Sequence, residues 1–94
     1  MNGVGSFKMS NKTGKWEFDG ALGNVWWEAK SGNYWKMIDV TPSKKSKFTS
    51  NMSQCKQIAE DNGATFELFT NSPIPSHWKE WLTSKGIPFT EILF

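Results

Sequence analysis

Trp16-Glu17-Phe18-Asp19-Gly20, followed by Val25-Trp26-Trp27-Glu28-Ala29-Lys30, decides the reading of this chain. With a period of two, the stretch reads as a short β-hairpin turning through Gly20-Ala21-Leu22-Gly23-Asn24, where the glycines permit positive φ. Trp16 and Phe18 fall on one face of the first strand; Val25, Trp27 and Ala29 fall on one face of the second. The opposite faces carry Glu17 and Asp19, then Trp26, Glu28 and Lys30. Three carboxylates and an ammonium are therefore expected on one side of a ribbon whose other side is apolar. With the turn centred on Leu22-Gly23, Glu17 lies across from Glu28 and Asp19 across from Trp26. Asp19 and Glu28 become diagonal neighbours, about 7–8 Å apart and within reach of one shared cation. Carboxylates so close raise each other's pKa unless a cation sits between them, and hard divalent ions take oxygen ligands of this kind. Lys30 points the same way, placed to hold an attacking water or to stabilise charge developing on a phosphate oxygen.

Outside the hairpin, size and composition narrow the class. Ninety-four residues make one domain, and six Trp with seven Phe supply a heavy aromatic core for its size. The single cysteine, Cys55, excludes an internal disulfide and suits a reducing compartment. No apolar run approaches the roughly 18 residues that span a membrane, and no signal-peptide pattern opens the chain. The net charge is +2, and all eleven basic residues are lysines. That balance is compatible with nucleic-acid binding without requiring it. The lysines gather in two groups, Lys8/Lys12/Lys15 and Lys44/Lys45/Lys47.

The remaining segments read as follows. Residues 1–14, rich in Gly, Ser and Asn, suggest a flexible lead-in with a short strand around Phe7–Met9. Tyr34 to Val40 is either a strand extension or a short helical turn. Thr41-Pro42-Ser43 opens a helix with Ser43 as candidate N-cap, and Phe48, Met52, Cys55 and Ala59 form its apolar stripe before Asn62-Gly63 stops it. Ala64–Thr70 reads as a strand with Phe66 and Leu68 on one face. Ser76 caps a second helix in which Trp78, Trp81 and Leu82 share a face, ended by Lys85-Gly86. Ile87–Phe94 closes the chain as a strand. The predicted fold class is α/β: a small mixed sheet with an antiparallel hairpin and two flanking helices, joined by right-handed crossovers.

Phe18-Asp19-Gly20 with Trp27-Glu28-Ala29-Lys30-Ser31-Gly32 resembles the Asp…(Asp/Glu)-x-Lys signature of the restriction-endonuclease-like superfamily. More narrowly, it resembles the small PD-(D/E)XK toxin domains that end bacterial polymorphic toxins, including contact-dependent growth inhibition effectors. The resemblance covers residues 15–94. It implies a restriction-endonuclease-like core and a metal-dependent endonuclease. Asp19 and Glu28 would be metal carboxylates, the Ala29 carbonyl a further ligand, and Lys30 the catalytic lysine. The implied cofactor is a divalent metal, Mg²⁺ first, with Mn²⁺ and Zn²⁺ as alternatives. The implied partners are a nucleic-acid substrate and a cognate immunity protein. The implied location is a larger secreted toxin whose nuclease domain acts in the target-cell cytoplasm. Many such domains place another acidic residue on a helix before the first strand, and residues 1–14 contain none. Glu17 takes that part, the site uses one metal, or the chain is a piece of a longer toxin.

Gln54, on the flank of the first helix with Asn51 and Lys47, is a candidate for site support. Lys15, Lys44, Lys45, Lys47 and Trp26 are candidates for nucleic-acid contact, the tryptophan by stacking on bases. The small net charge gives weak non-specific attraction to long duplexes, which favours tRNA slightly over DNA. His77 reads as structural or solvent-exposed, and Cys55 as core. The rival class is a non-enzymatic binding module in which tryptophans form an aromatic platform for sugars or peptides.

Overall fold

Strand-forming alternation in the first third of the chain gives way to helical spacing after Gly32, and the architecture follows that change. The structure, a computed structural model, describes residues 6–11 and 14–92. Its elements are β1 (Phe7–Asn11), β2 (Gly14–Phe18), β3 (Gly20–Leu22), β4 (Val25–Lys30), α1 (Tyr34–Ile38), α2 (Pro42–Asp61), β5 (Thr65–Thr70), α3 (Ser76–Ser84) and β6 (Phe89–Glu91). The four-stranded sheet runs β3-β4-β5-β6, with β3 antiparallel to β4 and the rest parallel. The β1–β2 ribbon is a separate antiparallel pair. The chain is thus an α/β unit with a mixed sheet and three helices among the described residues. None of those helices is long and apolar enough to cross a membrane.

Helices α2 and α3 join successive parallel strands in one direction across the sheet, so right-handed crossovers bring both to the same face. The core fills the space between. Phe48, Met52, Cys55, Ile58 and Ala59 of α2 meet Phe66 and Leu68 of β5, with Trp78 and Leu82 of α3 closing the side. Phe18 is fully buried where the ribbon joins the sheet, its ring 5.2 Å from Trp26 and 6.1 Å from Phe66. The opposite sheet face is open. Leu22, Val25, Trp27, Ala29, Glu67, Phe69 and Ile92 line a shallow apolar depression there.

Several sequence expectations change. Residues 7–11, read as lead-in with a short strand, form β1 through Asn11, and Gly14 already belongs to β2; residues 1–5 and Lys12 lie outside the described residues. Trp16 and Glu17 pair with β1, not with β4; the strand that pairs with β4 is Gly20–Leu22, and its turn is Gly23-Asn24. Gly23 takes φ +64°, the conformation that lets two residues reverse the chain. Tyr34–Ile38 takes the helical one of its two expected alternatives and adds a short third helix to the two flanking ones. Thr41, not Ser43, caps α2: its hydroxyl accepts the Lys44 N–H at 3.2 Å. Pro75 occupies the N-cap of α3, leaving Ser76 as its first residue without a side-chain cap. The last strand shortens to Phe89–Glu91, with Leu93 and Phe94 outside the described residues.

The largest correction concerns which face of β4 meets the core. Its parallel register sets Trp26 beside Phe66, Glu28 beside Leu68 and Lys30 beside Thr70, all of β5's buried side. The face that carries Trp26, Glu28 and Lys30 therefore lies on the helix side, while the apolar set Val25, Trp27 and Ala29 occupies the open face. Alternation assigns residues to faces in groups, but the helices decide which group is inside.

Truncating Phe18 to Ala leaves a void against three rings and is expected to cost about 3–5 kcal/mol in urea unfolding. Leu22→Ala, at an exposed position, should change stability by under about 0.5 kcal/mol. Thr41→Ala should cost about 1 kcal/mol while Ser43→Ala costs less; equal losses for the last pair would contradict the assigned cap.

Candidate active site

The edge of β4 beyond β3 builds the site. Pairing with β3 ends at Gly20, and one residue earlier the chain bends at Asp19. The Asp19 N–H still donates to the Trp27 carbonyl at 3.0 Å. Ala29 presents its backbone to the same edge as Trp27, two residues on, where no β3 residue remains to meet it. The Asp19 side chain substitutes for the missing strand: its Oδ2 accepts the Ala29 N–H at 2.8 Å. The Asp19 carboxylate lies close enough to Glu28 for its charge to act on that carboxyl.

Glu28 is only 5% exposed. Both carboxylate oxygens are engaged: Oε1 accepts the Trp16 indole N–H at 3.1 Å, and Oε2 lies 3.3 Å from the Lys30 ammonium. The ammonium also stands 4.9 Å from the centre of the Tyr34 ring, a cation–π distance. Burial raises the Glu28 carboxyl above its ordinary 4.5; the Trp16 hydrogen bond and Lys30 charge oppose that rise, and the Asp19 charge adds to it. Burial, then the Glu28 charge, push the Tyr34 hydroxyl up to about 12. Burial raises the Cys55 thiol as well, with Glu28 again contributing, so Cys55 is an unreactive core thiol as its place on the α2 stripe suggests.

The structure thus brings Asp19, Glu28, Ala29 and Lys30 together. Glu17 does not join them. It stands opposite Lys8 on the exposed outer face of the ribbon, because Trp16, not Glu17, faces β4. Gln54 turns to the ribbon too, its amide packed so closely on Gly14 that a Cβ there would collide with it. Lys15 is exposed on the ribbon's outer face, and Lys44, Lys45 and Lys47 are exposed on the first turns of α2. None of these four is among the charges that shift Glu28. Trp26 is half-buried, its ring at a steep angle to those of Phe7 at 5.1 Å and Phe18 at 5.2 Å. His77 bonds Asp39 at 3.1 Å while Trp78 donates to the same carboxylate at 3.0 Å, tying α3 to the end of α1. Against desolvation, which pulls upward, those bonds and the nearby Lys45 charge hold the Asp39 carboxyl below its usual value.

Trp16 and Tyr34 were invisible as site neighbours in the sequence. The one available signal was that a buried indole needs an acceptor for its N–H; nothing in the spacing names Glu28 as that acceptor.

Among the described residues, no three His, Cys, Asp or Glu side chains are gathered for a metal ion. The donors at the β4 edge are two carboxylates and one backbone carbonyl, a hard oxygen set suited to a divalent cation completed by water. Each Glu28 oxygen retains a second lone pair after its present bond. The donor chemistry therefore suits a hard divalent cation. No protein-family model matches the chain, and no curated protein or solved structure matches it either.

An acid with a raised folded-state pKa contributes its full stability below the unfolded value, and loses that contribution as pH rises through the folded value. The stability of the wild type relative to Glu28→Gln should therefore fall as pH rises above the ordinary carboxylate value of 4.5 in denaturant titrations. A difference that stays level or grows with pH would contradict the buried, desolvated placement of Glu28.

Proposed function

We propose that this chain is a metal-dependent endonuclease with a restriction-endonuclease-like core, hydrolysing the phosphodiester bonds of nucleic acid. The observation that carries the reading is the pairing at one strand edge: Asp19 locked to the Ala29 N–H at 2.8 Å, and Glu28 bonded to Lys30 at 3.3 Å. Asp19, Glu28 and the Ala29 carbonyl would hold Mg²⁺, or Mn²⁺ or Zn²⁺ in its place. The cation supplies the Lewis-acid charge that phosphodiester hydrolysis needs. Lys30, with its ammonium fixed between Glu28 and Tyr34, is positioned to donate to a phosphate oxygen or to orient the attacking water. The water oxygen adds to phosphorus, the bridging P–O bond breaks, and the departing oxygen takes a proton.

The exposed Lys15, Lys44, Lys45 and Lys47 supply backbone contacts of the sequence-independent kind. A net charge of +2 favours a compact substrate such as tRNA slightly over long DNA. In this reading the domain belongs to a larger secreted toxin, acts in the cytoplasm of a competitor cell, and is blocked by a cognate immunity protein.

One observation favours the rival, non-enzymatic binding reading. Trp27 and Phe69 meet edge to face at 6.0 Å on the open sheet side, beside the exposed Leu22 and Ile92. That surface, and not Trp26, would be its platform.

Incubation with tRNA and with plasmid DNA in Mg²⁺ separates the two. The endonuclease reading expects cleavage that a chelator abolishes and that Asp19→Ala and Lys30→Ala each reduce by at least about 10²-fold, with Trp27→Ala unaffected. Intact substrates with the wild type would end it.

A further inference from the structure

We propose that Trp16 is a positioning residue for Glu28, its indole N–H fixing which carboxylate oxygen faces the ribbon and which faces Lys30. This inference rests on the cation-holding role given to Glu28 above. An indole has one donor and no acceptor, so its N–H commits to a single partner. Here that partner is Glu28 Oε1 at 3.1 Å, with Oε2 left to Lys30. Glu28 reaches its position from β4, whereas Trp16 comes from the β1–β2 ribbon, which shares no ladder with the main sheet. The two are brought together where the ribbon runs through Asp19 into β3, the neighbour of β4.

That packing is held at the ribbon's far end. Asn62 on the C-cap of α2 donates to the Ser10 carbonyl at 3.1 Å, and Asn11 donates to Asp61 at 2.9 Å. Two residues from Trp16, Gly14 lies against the Gln54 amide, which would have to shift if a Cβ were present. The C-terminal half of α2 thereby holds the ribbon that carries the indole. Tyr34 bounds the other side of the pair through its contact with the Lys30 ammonium. Glu28 and Lys30 are thus each held by an aromatic residue, Glu28 by the Trp16 indole and Lys30 by the Tyr34 ring. Partners of a metal ligand that orient it typically govern affinity or activity by about 10–100-fold.

Trp16→Phe keeps an aromatic ring and deletes the donor. The test follows Mg²⁺ alone, titrated into ¹⁵N-labelled wild type and Trp16→Phe, with the indole N–H resonance missing from the variant identifying Trp16. The expected result is a Trp16 indole resonance that shifts as Mg²⁺ binds the wild type. Mg²⁺ affinity in Trp16→Phe should be about 10–100-fold weaker, and kcat should fall while KM for nucleic acid holds. Unchanged Mg²⁺ affinity in a folded Trp16→Phe overturns the proposal. If that variant does not fold, a wild-type indole resonance that ignores Mg²⁺ overturns it equally. Trp16-dependent Mg²⁺ binding without cleavage would sink the endonuclease reading and leave the positioning role standing. A wild type that takes up no Mg²⁺ removes both.

Discussion

A carboxylate buried inside a small aromatic core is the constraint around which this molecule is organised. An ionised Glu28 cannot sit among Leu68 and the α2 side chains without donors, since an unpaired buried charge costs several kcal/mol or more. Two donors arrive by different routes. Lys30 comes from the same strand, two residues on, and Trp16 comes from a ribbon folded over it. The ribbon has little else to do in the four-stranded sheet, which pairs without it. It covers the Glu28 carboxylate with Trp16 and adds Phe18 to the core, with Phe7 and Met9 packed against it.

The same device recurs elsewhere in the core. Trp35 gives its indole N–H to Thr70 at 3.1 Å, and Trp78 gives its own to Asp39 at 3.0 Å. Each large ring buries apolar area while its single polar atom pins one element to another: α1 to β5, α3 to the end of α1, the ribbon to β4. Among the described residues, every buried side-chain nitrogen and oxygen has a partner. A chain this short gains specificity from such pins, because its core alone is small.

How far the sequence was legible follows from what each signal depends on. The α2 stripe, the buried face of β5 and the stops at Gly63 and Gly86 were readable because they rest on local periodicity and on positive φ, here +79° and +70°. The proximity of Asp19, Glu28 and Lys30 was readable for the same reason: a short turn leaves little freedom. What could not be read was non-local. The partner of Trp16 and Glu17 is β1, whose short strand is legible around Phe7–Met9 but whose pairing partner is not. Without that pairing, alternation sets Glu17 across from Glu28 and leaves open which face of β4 the helices cover. Thr41 displaced Ser43 as cap because Pro42 already occupies the first turn, a point of backbone geometry that one residue's shift decides.

The central claim is that oxygens at the β4 edge share one cation. Crystals soaked in Mn²⁺ test it most directly, by anomalous scattering that locates the ion without reference to activity. The account predicts one strong peak bridging the Asp19 and Glu28 carboxylates, with the Trp16 and Lys30 bonds to Glu28 retained. A well-occupied Mn²⁺ elsewhere on the molecule, with that edge empty and both carboxylates in place, would contradict it.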